Sequence, residues 1–316
     1  MRYGFGVDVG GTTVKLGCFE GEGTLLDKWE IPTRTEKAGS QILPDIAASL
    51  RGYIVGNGLA REDVLGIGMG VPGPVRPDGT VNRCVNLGWG VLNVEKELER
   101  LTGFPVKAGN DASVAALGEC WKGSGAGCDN MVFVTLGTGV GGGILAGGKL
   151  LHGTHGAAGE IGHMVCNPEE TEFCNCGNRG CLEQYCSATG IVRLTKQFLS
   201  QSDAPSVLRD QKDITCKDVF GAAATGDAPA QEILEQVYAY LGKILANISN
   251  VTDPEAVVLG GGVSKAGKPL LEGVRRHFEK HVFYGANPDR FTLAALGNDA
   301  GIYGAFRLVQ LACDME

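Results

Sequence analysis

Asp8-Val9-Gly10-Gly11-Thr12-Thr13-Val14-Lys15 lies between two runs of strand character, Tyr3 to Val9 and Thr12 to Phe19. Alternating apolar residues mark half-buried strands, and a Gly pair between them marks a tight turn. Successive backbone N–H groups in such a turn form a concave anion site. Gly10 and Gly11 lack the Cβ that would keep an oxygen away, and Thr12 and Thr13 add hydroxyl donors. Asp8, at the end of its strand, is suited to hold Mg²⁺ directly or through water. Lys15 belongs to the same candidate nucleotide set. The stretch is neither a Walker A loop nor a Rossmann fingerprint, and an ordinary Gly hairpin reads it as well as a phosphate cradle does.

The pattern returns. Met131 to Leu136 is strand-like, Gly137-Thr138-Gly139 turns, and Val140 to Ala146 runs back through Gly141, Gly142 and Gly143. Strand, Gly turn and strand thus occur at 4–19 and at 131–146, an internal duplication rather than a solenoid period. Two related domains, each with a cradle, can clamp a nucleotide between them. A third Gly run, Gly260-Gly261-Gly262, follows the apolar strand Ala256 to Leu259 and suits the flat face of an adenosine.

Around these turns the chain alternates strands and helices. Ser40 to Gly56 reads as a helix, with Ile42, Ile46, Leu50 and Ile54 on one face and Ser40 as its N-cap. Val64 to Val71 is a strand running into Pro72-Gly73-Pro74. Phe104 to Ala108 is a short strand before Asn110-Asp111, and Ala112 to Lys122 is a helix. Ala228 to Val251 is a long helix with Val237, Leu241, Ile244 and Ile248 on one face. Asp299 to Leu311 is the last helix and is expected to pack back on the first domain. Gly297, Gly301 and Gly304 read as its close-packing positions.

The 316 residues include 50 Gly, more than twice the roughly 22 that an average 7% would supply. There is no G-X-Y period, which excludes collagen. Charged residues make up 20% and hydrophobic ones 43%, which excludes a disordered chain. A net charge of -8 without a basic stripe argues against nucleic acid and anionic membrane as partners. The N-terminus MRYGFGVDVGG has no signal-peptide pattern. Met131 to Gly148 lacks charge, but it holds seven Gly and two Thr and reads as strand–turn–strand, not a membrane span. Eleven Cys without a signal peptide point to a cytoplasmic protein with free thiols.

Three of those cysteines cluster. Cys174, Cys176 and Cys181 follow His163 in a C-x-C-x₄-C segment, a Cys₃His set that suits a closed structural zinc site. Gly177 and Gly180 let the loop wrap the ion, and metal binding supplies the free energy to order it. Glu183 follows two residues later, so the ligands border Glu160, His163 and Glu183. The glycine cradles are expected to lie at a distance from this loop. Asp111 suits a general base that accepts a hydroxyl proton, and equally an N-cap for the helix after it.

With these residues in view, the sequence resembles the ROK family within the sugar kinase, actin and heat-shock ATPase superfold. The resemblance is closest to the ROK glucokinases and covers essentially the whole chain. It rests on Asp8-Val9-Gly10-Gly11-Thr12, Asn110-Asp111-Ala112, Leu136 to Gly143, the cysteine segment, and Gly190-Ile191-Val192-Arg193. It implies a two-domain actin-like (ribonuclease H-like) α/β fold with an interdomain cleft. One domain would take 1–110 plus 299–316, and the other 111–298 with the zinc loop. It implies transfer of a phosphoryl group from ATP with Mg²⁺ to the 6-hydroxyl of glucose. Asp111 matches the family's base, and Asn110, Glu160, His163 and Glu183 match its sugar ligands, with Gly73 and Asn86 beside them. Other hexoses or N-acetylated amino sugars (fructose, mannose, allose, N-acetylmannosamine, N-acetylglucosamine) and polyphosphate as donor are the alternatives within the class. A homo-oligomer, dimer or tetramer, is expected. A sugar-responsive repressor would carry a helix-turn-helix ahead of this core, and only seven residues precede Asp8.

Overall fold

Both glycine turns close hairpins. In a computed structural model, which describes residues 2–313, the first hairpin joins β1 (Tyr3–Val9) to β2 (Thr13–Glu20). Asp8 stands opposite Lys15 across it, and Gly10 N donates to Thr13 O at 3.0 Å. The remaining strands are β3 (Thr24–Pro32), β4 (Val64–Val71), β5 (Thr80–Val81), β6 (Leu92–Asn93), β7 (Val106–Asn110), β8 (Met131–Leu136), β9 (Val140–Ala146), β10 (Lys149–Leu150), β11 (Ala256–Gly260) and β12 (Arg290–Leu293). The helices are α1 (Glu36–Gly39), α2 (Ile42–Gly56), α3 (Val94–Thr102), α4 (Asp111–Lys122), α5 (Glu183–Cys186), α6 (Ala188–Gln201), α7 (Cys216–Ala224), α8 (Ala228–Thr252), α9 (Lys268–Phe278) and α10 (Ala300–Cys313).

Two five-stranded sheets share one topology. Their orders are β3-β2-β1-β4-β7 and β10-β9-β8-β11-β12. In each, three strands pair antiparallel, and two more join in parallel beside the hairpin's first strand. The duplication therefore extends beyond the two hairpins to whole sheets. The uncharged stretch 131–148 is the β8–β9 hairpin, and among the described residues no helix is long and apolar enough to cross a membrane.

Helix spacing translates into burial. Ile42, Ile46, Leu50 and Ile54 are buried on α2 over the first sheet, and Val237, Leu241, Ile244 and Ile248 on α8 beside the second. Asp227 caps α8 by accepting from Ala230 N, and Asp253 ends it at φ 45°. The last helix packs on β1 and β4, with Phe306 stacked on Phe19 at 4.8 Å between centroids. It also crosses α4 at backbone distance: a Cβ at Gly118 would run into Ala300 O, and one at Gly304 into Val114 O. Helix α4 packs on β4 and β7 of one sheet and on β8 and β9 of the other, so this crossing ties the sheets together.

Some local expectations need correction. Ser40 is not the cap of α2; Gln41 holds that position without a side-chain bond. Lys37, Ala38 and Gly39 run left-handed, and Trp89 Nε1 donates to Gly39 O at 3.1 Å, which delays the helix to Ile42. The strand expected from Phe104 begins at Val106, because Pro105 has no N–H for the ladder. Gly297 precedes α10 in a separate 3₁₀ turn. Of the expected first domain, residues 1 and 314–316 lie outside those described.

Gly304→Val should destabilise the protein by about 2 kcal/mol or more, because neither backbone can yield. Gly52→Ala, in α2 with open space around it, should stabilise by roughly 0.5 kcal/mol. Urea unfolding of both variants measures the contrast.

Candidate active site

The carboxyl ends of β1 and β7, the start of α4 and the β8–β9 turn border one cleft of about 700 Å³. Asp8 and Lys15 line it from the first hairpin, and Gly137 and Gly139 from the second. Gly260 and Gly261 border it from the end of β11. Gly261 has φ 83°, and a Cβ there would meet the Leu136 backbone, so this approach needs Gly. The candidate sugar residues Gly73, Asn86, Asn110, Asp111, Glu160, His163 and Glu183 line the same cleft. Gly10, Gly11, Thr12, Thr13, Thr138 and Gly262 stand outside its lining.

Asp111 is the first residue of α4, but it does not cap it. Asn110 does: its Oδ1 accepts from Ser113 N at 3.1 Å, while its Nδ2 donates to Gly73 O at 3.2 Å. Asp111 Oδ1 accepts from the adjacent Ala112 N, at 2.8 Å. Burial pushes the Asp111 carboxyl up to about 6. The Ala112 N–H opposes that shift, and the Asp8 and Glu160 carboxylates add to it. Such a group is an acceptor poised near neutral pH. Burial also raises Asp8, with Lys15 opposing, and raises Glu160, with His163 opposing.

The cysteine loop closes beside these acids. His163 Nδ1 lies 3.8 Å from Cys174 Sγ, and Cys176 Sγ lies 3.6 Å from Cys181 Sγ. All four ligand atoms fall within 4.8 Å of one another. A zinc tetrahedron with bonds of about 2.3 Å to sulfur has edges of about 3.8 Å, so these residues fit the ion. The other imidazole nitrogen, Nε2, is 3.9 Å from Glu160 Oε2. The loop has its own buttress. Arg193 lies over the Tyr185 ring and pairs with Glu170 at 2.8 Å. Burial alone would raise Glu170, but bonds from Tyr185, the Glu172 N–H and Arg193 hold it at about 2.

The expected distance between this loop and the Gly137 turn is not found. Glu183 Oε2 accepts from Val140 N at 3.0 Å, next to Gly139, while its Oε1 is 3.9 Å from Cys174 Sγ. One carboxylate therefore touches both. The turn is held from behind as well, since Ala188 N donates to Gly137 O and Thr189 Oγ1 to Thr138 O.

Sequence reading missed the segment before α10. Ala294, Gly297, Asn298, Ala300 and Gly301 line the cleft, and Lys15 Nζ donates to Asn298 O at 3.2 Å. The signal lay in Leu296-Gly297-Asn298-Asp299-Ala300-Gly301, a Gly-Asn-Asp turn opening a helix.

The ROK family model matches residues 4–312. The chain belongs to the ROK family. A glucokinase of Halalkalibacterium halodurans is 45% identical over 98% of this chain and 95% of its own length. An N-acetylmannosamine kinase of Escherichia fergusonii is 32% identical over 96% of this chain and 97% of its own. Among solved structures, a ROK glucokinase from Streptomyces griseus in complex with glucose and AMPPNP superposes with a TM-score of 0.79. It is 34% identical, with 98% of this chain and 99% of that one covered. The fold is the two-domain actin-like α/β fold of ROK sugar kinases.

Purified protein should carry one equivalent of zinc by elemental analysis, and Cys176→Ala should lose it. Because Glu183 joins the loop to the Val140 N–H, the variant should bind both sugar and nucleotide more weakly by calorimetry. A fall confined to the sugar would mean that the turn does not depend on the loop.

Proposed function

We propose that this protein transfers the γ-phosphoryl group of ATP to the 6-hydroxyl of glucose, yielding glucose 6-phosphate and ADP. The observation that carries the reading is Asp111: an acid near neutral pKa at the head of a helix, among Asn110, Glu160, His163 and Glu183 in one cleft. The 45% identity to a curated glucokinase over nearly the whole chain names the sugar. Asn110, Glu160, His163 and Glu183 offer acceptors and donors to the ring hydroxyls, which favours sugars that place them correctly. Asp111 takes the proton of the attacking 6-hydroxyl. That contributes part of the rate, since positioning and charge stabilisation dominate phosphoryl transfer.

The Gly10 and Gly137 turns would face the phosphates through N–H groups other than those of Gly10 and Gly137, which bond within the turns to Thr13 O and Gly139 O, and the Gly260 run would face the adenosine. Asp8 would hold Mg²⁺, which neutralises phosphate charge when bound. His163, Cys174, Cys176 and Cys181 would hold a structural zinc that fixes the acceptor pocket. The lobes would take 1–110 with 299–316 and 111–298, and their closure would exclude water. A cytoplasmic homo-oligomer, dimer or tetramer, completes the reading, without nucleic acid or membrane as partner.

Asp111→Asn should keep glucose binding by calorimetry and lose turnover by about a hundredfold or more. In the native protein, kcat/KM for glucose should rise with pH through a midpoint near 6 as Asp111 loses its proton. A coupled assay of glucose, fructose, mannose, allose and N-acetylated hexosamines, each with ATP and with polyphosphate, tests the substrates. A clear preference for another sugar or for polyphosphate overturns this assignment.

A further inference from the structure

The chain passes from the first sheet to the second at the β7–α4 junction, and returns along residues 294–299 between β12 and α10. The return strap borders the cleft through Ala294, Gly297 and Asn298, next to Gly260 and Gly261. One side chain outside the cleft lining holds it. Glu119, near the end of α4, is fully buried. Its Oε1 accepts from Leu296 N at 2.7 Å, and its Oε2 from Ala295 N at 3.1 Å and Ser124 N at 3.0 Å. Hydrogen bonds to an ionised carboxylate are the strong kind, and a buried carboxylate needs them to offset its desolvation. Among the described residues Glu119 forms no ion pair that could do this instead.

The strap's far end is fixed to the first hairpin sheet. Asn298 O accepts from Lys15 Nζ, and Asp299 pairs with Lys28 of β3 at 2.7 Å. Its near end is fixed to the second sheet, where Ala294 N donates to Leu259 O at 2.9 Å. Glu119 draws the intervening N–H groups toward α4. The strap's described hydrogen bonds reach α4, the Lys15 hairpin, β3 and β11, and none joins it to Asn110, Glu160, His163 or Glu183.

We propose that Glu119 is a positioning residue for the nucleotide: by anchoring the Ala295 and Leu296 amides, it sets Gly297 and Asn298 at the cleft edge, where Asn298 O receives Lys15 Nζ. The inference rests on the reading that ATP occupies the part of the cleft bordered by Gly260 and Lys15. Glu119 acts on the donor substrate and leaves the sugar pocket alone.

Glu119→Gln keeps the shape but replaces one acceptor oxygen with a donor NH₂, so at least one of the three amides loses its partner. The KM for ATP should rise about tenfold, with the KM for glucose within twofold. Glu119→Asp, which keeps both acceptor oxygens, should recover part of the ATP affinity. Equal changes in both KM values in a folded Gln variant, or no change, would overturn the proposal. Should the Gln variant not fold, hydrogen exchange on the wild-type protein decides. AMPPNP alone should slow exchange across 294–299, and glucose alone should not; protection by glucose and not by AMPPNP overturns it. Wild-type turnover of ATP with glucose is measured first, so that failure of the kinase reading is distinguished from failure of the role given to Glu119.

Discussion

The crossing of α4 and α10 is the contact on which the site depends. Gly118 and Gly304 let the two backbones meet without intervening side chains. Both helices begin at the cleft: α4 with Asp111, and α10 beside Asp8, where Gly301 leaves room for that carboxyl. Helix N-termini favour negative charge, which suits these two partly buried acids. The crossing packs both helix starts against these acids, and Asp8 is one of the charges that raise Asp111. Moving α4 outward by a side-chain layer would carry Asp111 away from Asp8, and moving α10 outward would open the Asp8 side to water. Asp111 would then return toward the ordinary carboxylate range, below the pH at which a base is useful.

A second consequence of tight packing is that the site's parts are not modular. Glu183 lies against Cys174 and accepts from the turn at Val140, while His163 turns one nitrogen to the cysteines and the other toward Glu160. The cysteine loop, the acid cluster and the Gly137 turn thus share two side chains. A change at one reaches the others through a single contact, which explains why a loop remote from the glycine turns in sequence is adjacent to them in space.

Much of this was legible in the residues. The hairpins at 4–19 and 131–146, the faces of α2 and α8, and the Cys₃His set depend on local periodicity and spacing, which neighbouring residues express directly. The family resemblance then joined Asp111, Glu160 and Glu183 into one pocket before any geometry was available. Ser40 misled because Ser before an apolar run is a good cap pattern, whereas the Trp89–Gly39 bond that overrides it comes from 50 residues away. Asn110 and Asp111 both suit a cap by type, and only their bonds distinguish them. Glu119 gave no signal: a Glu on a helix is ordinarily solvated, and two of its three amide partners lie 176 and 177 residues further on.

By itself, then, the sequence determined the strand–turn–strand duplication, the placing of glycine at the turns and the Cys₃His cluster. Each is written within one short stretch, where chain geometry leaves few alternatives. Only the tertiary structure decided which of Asn110 and Asp111 caps α4, how the cysteine loop meets the Gly137 turn, and what secures the strap before α10. Those outcomes depend on burial and on hydrogen bonds between residues far apart in the chain. Such terms arise only when the two sheets are brought together and water is removed from between them.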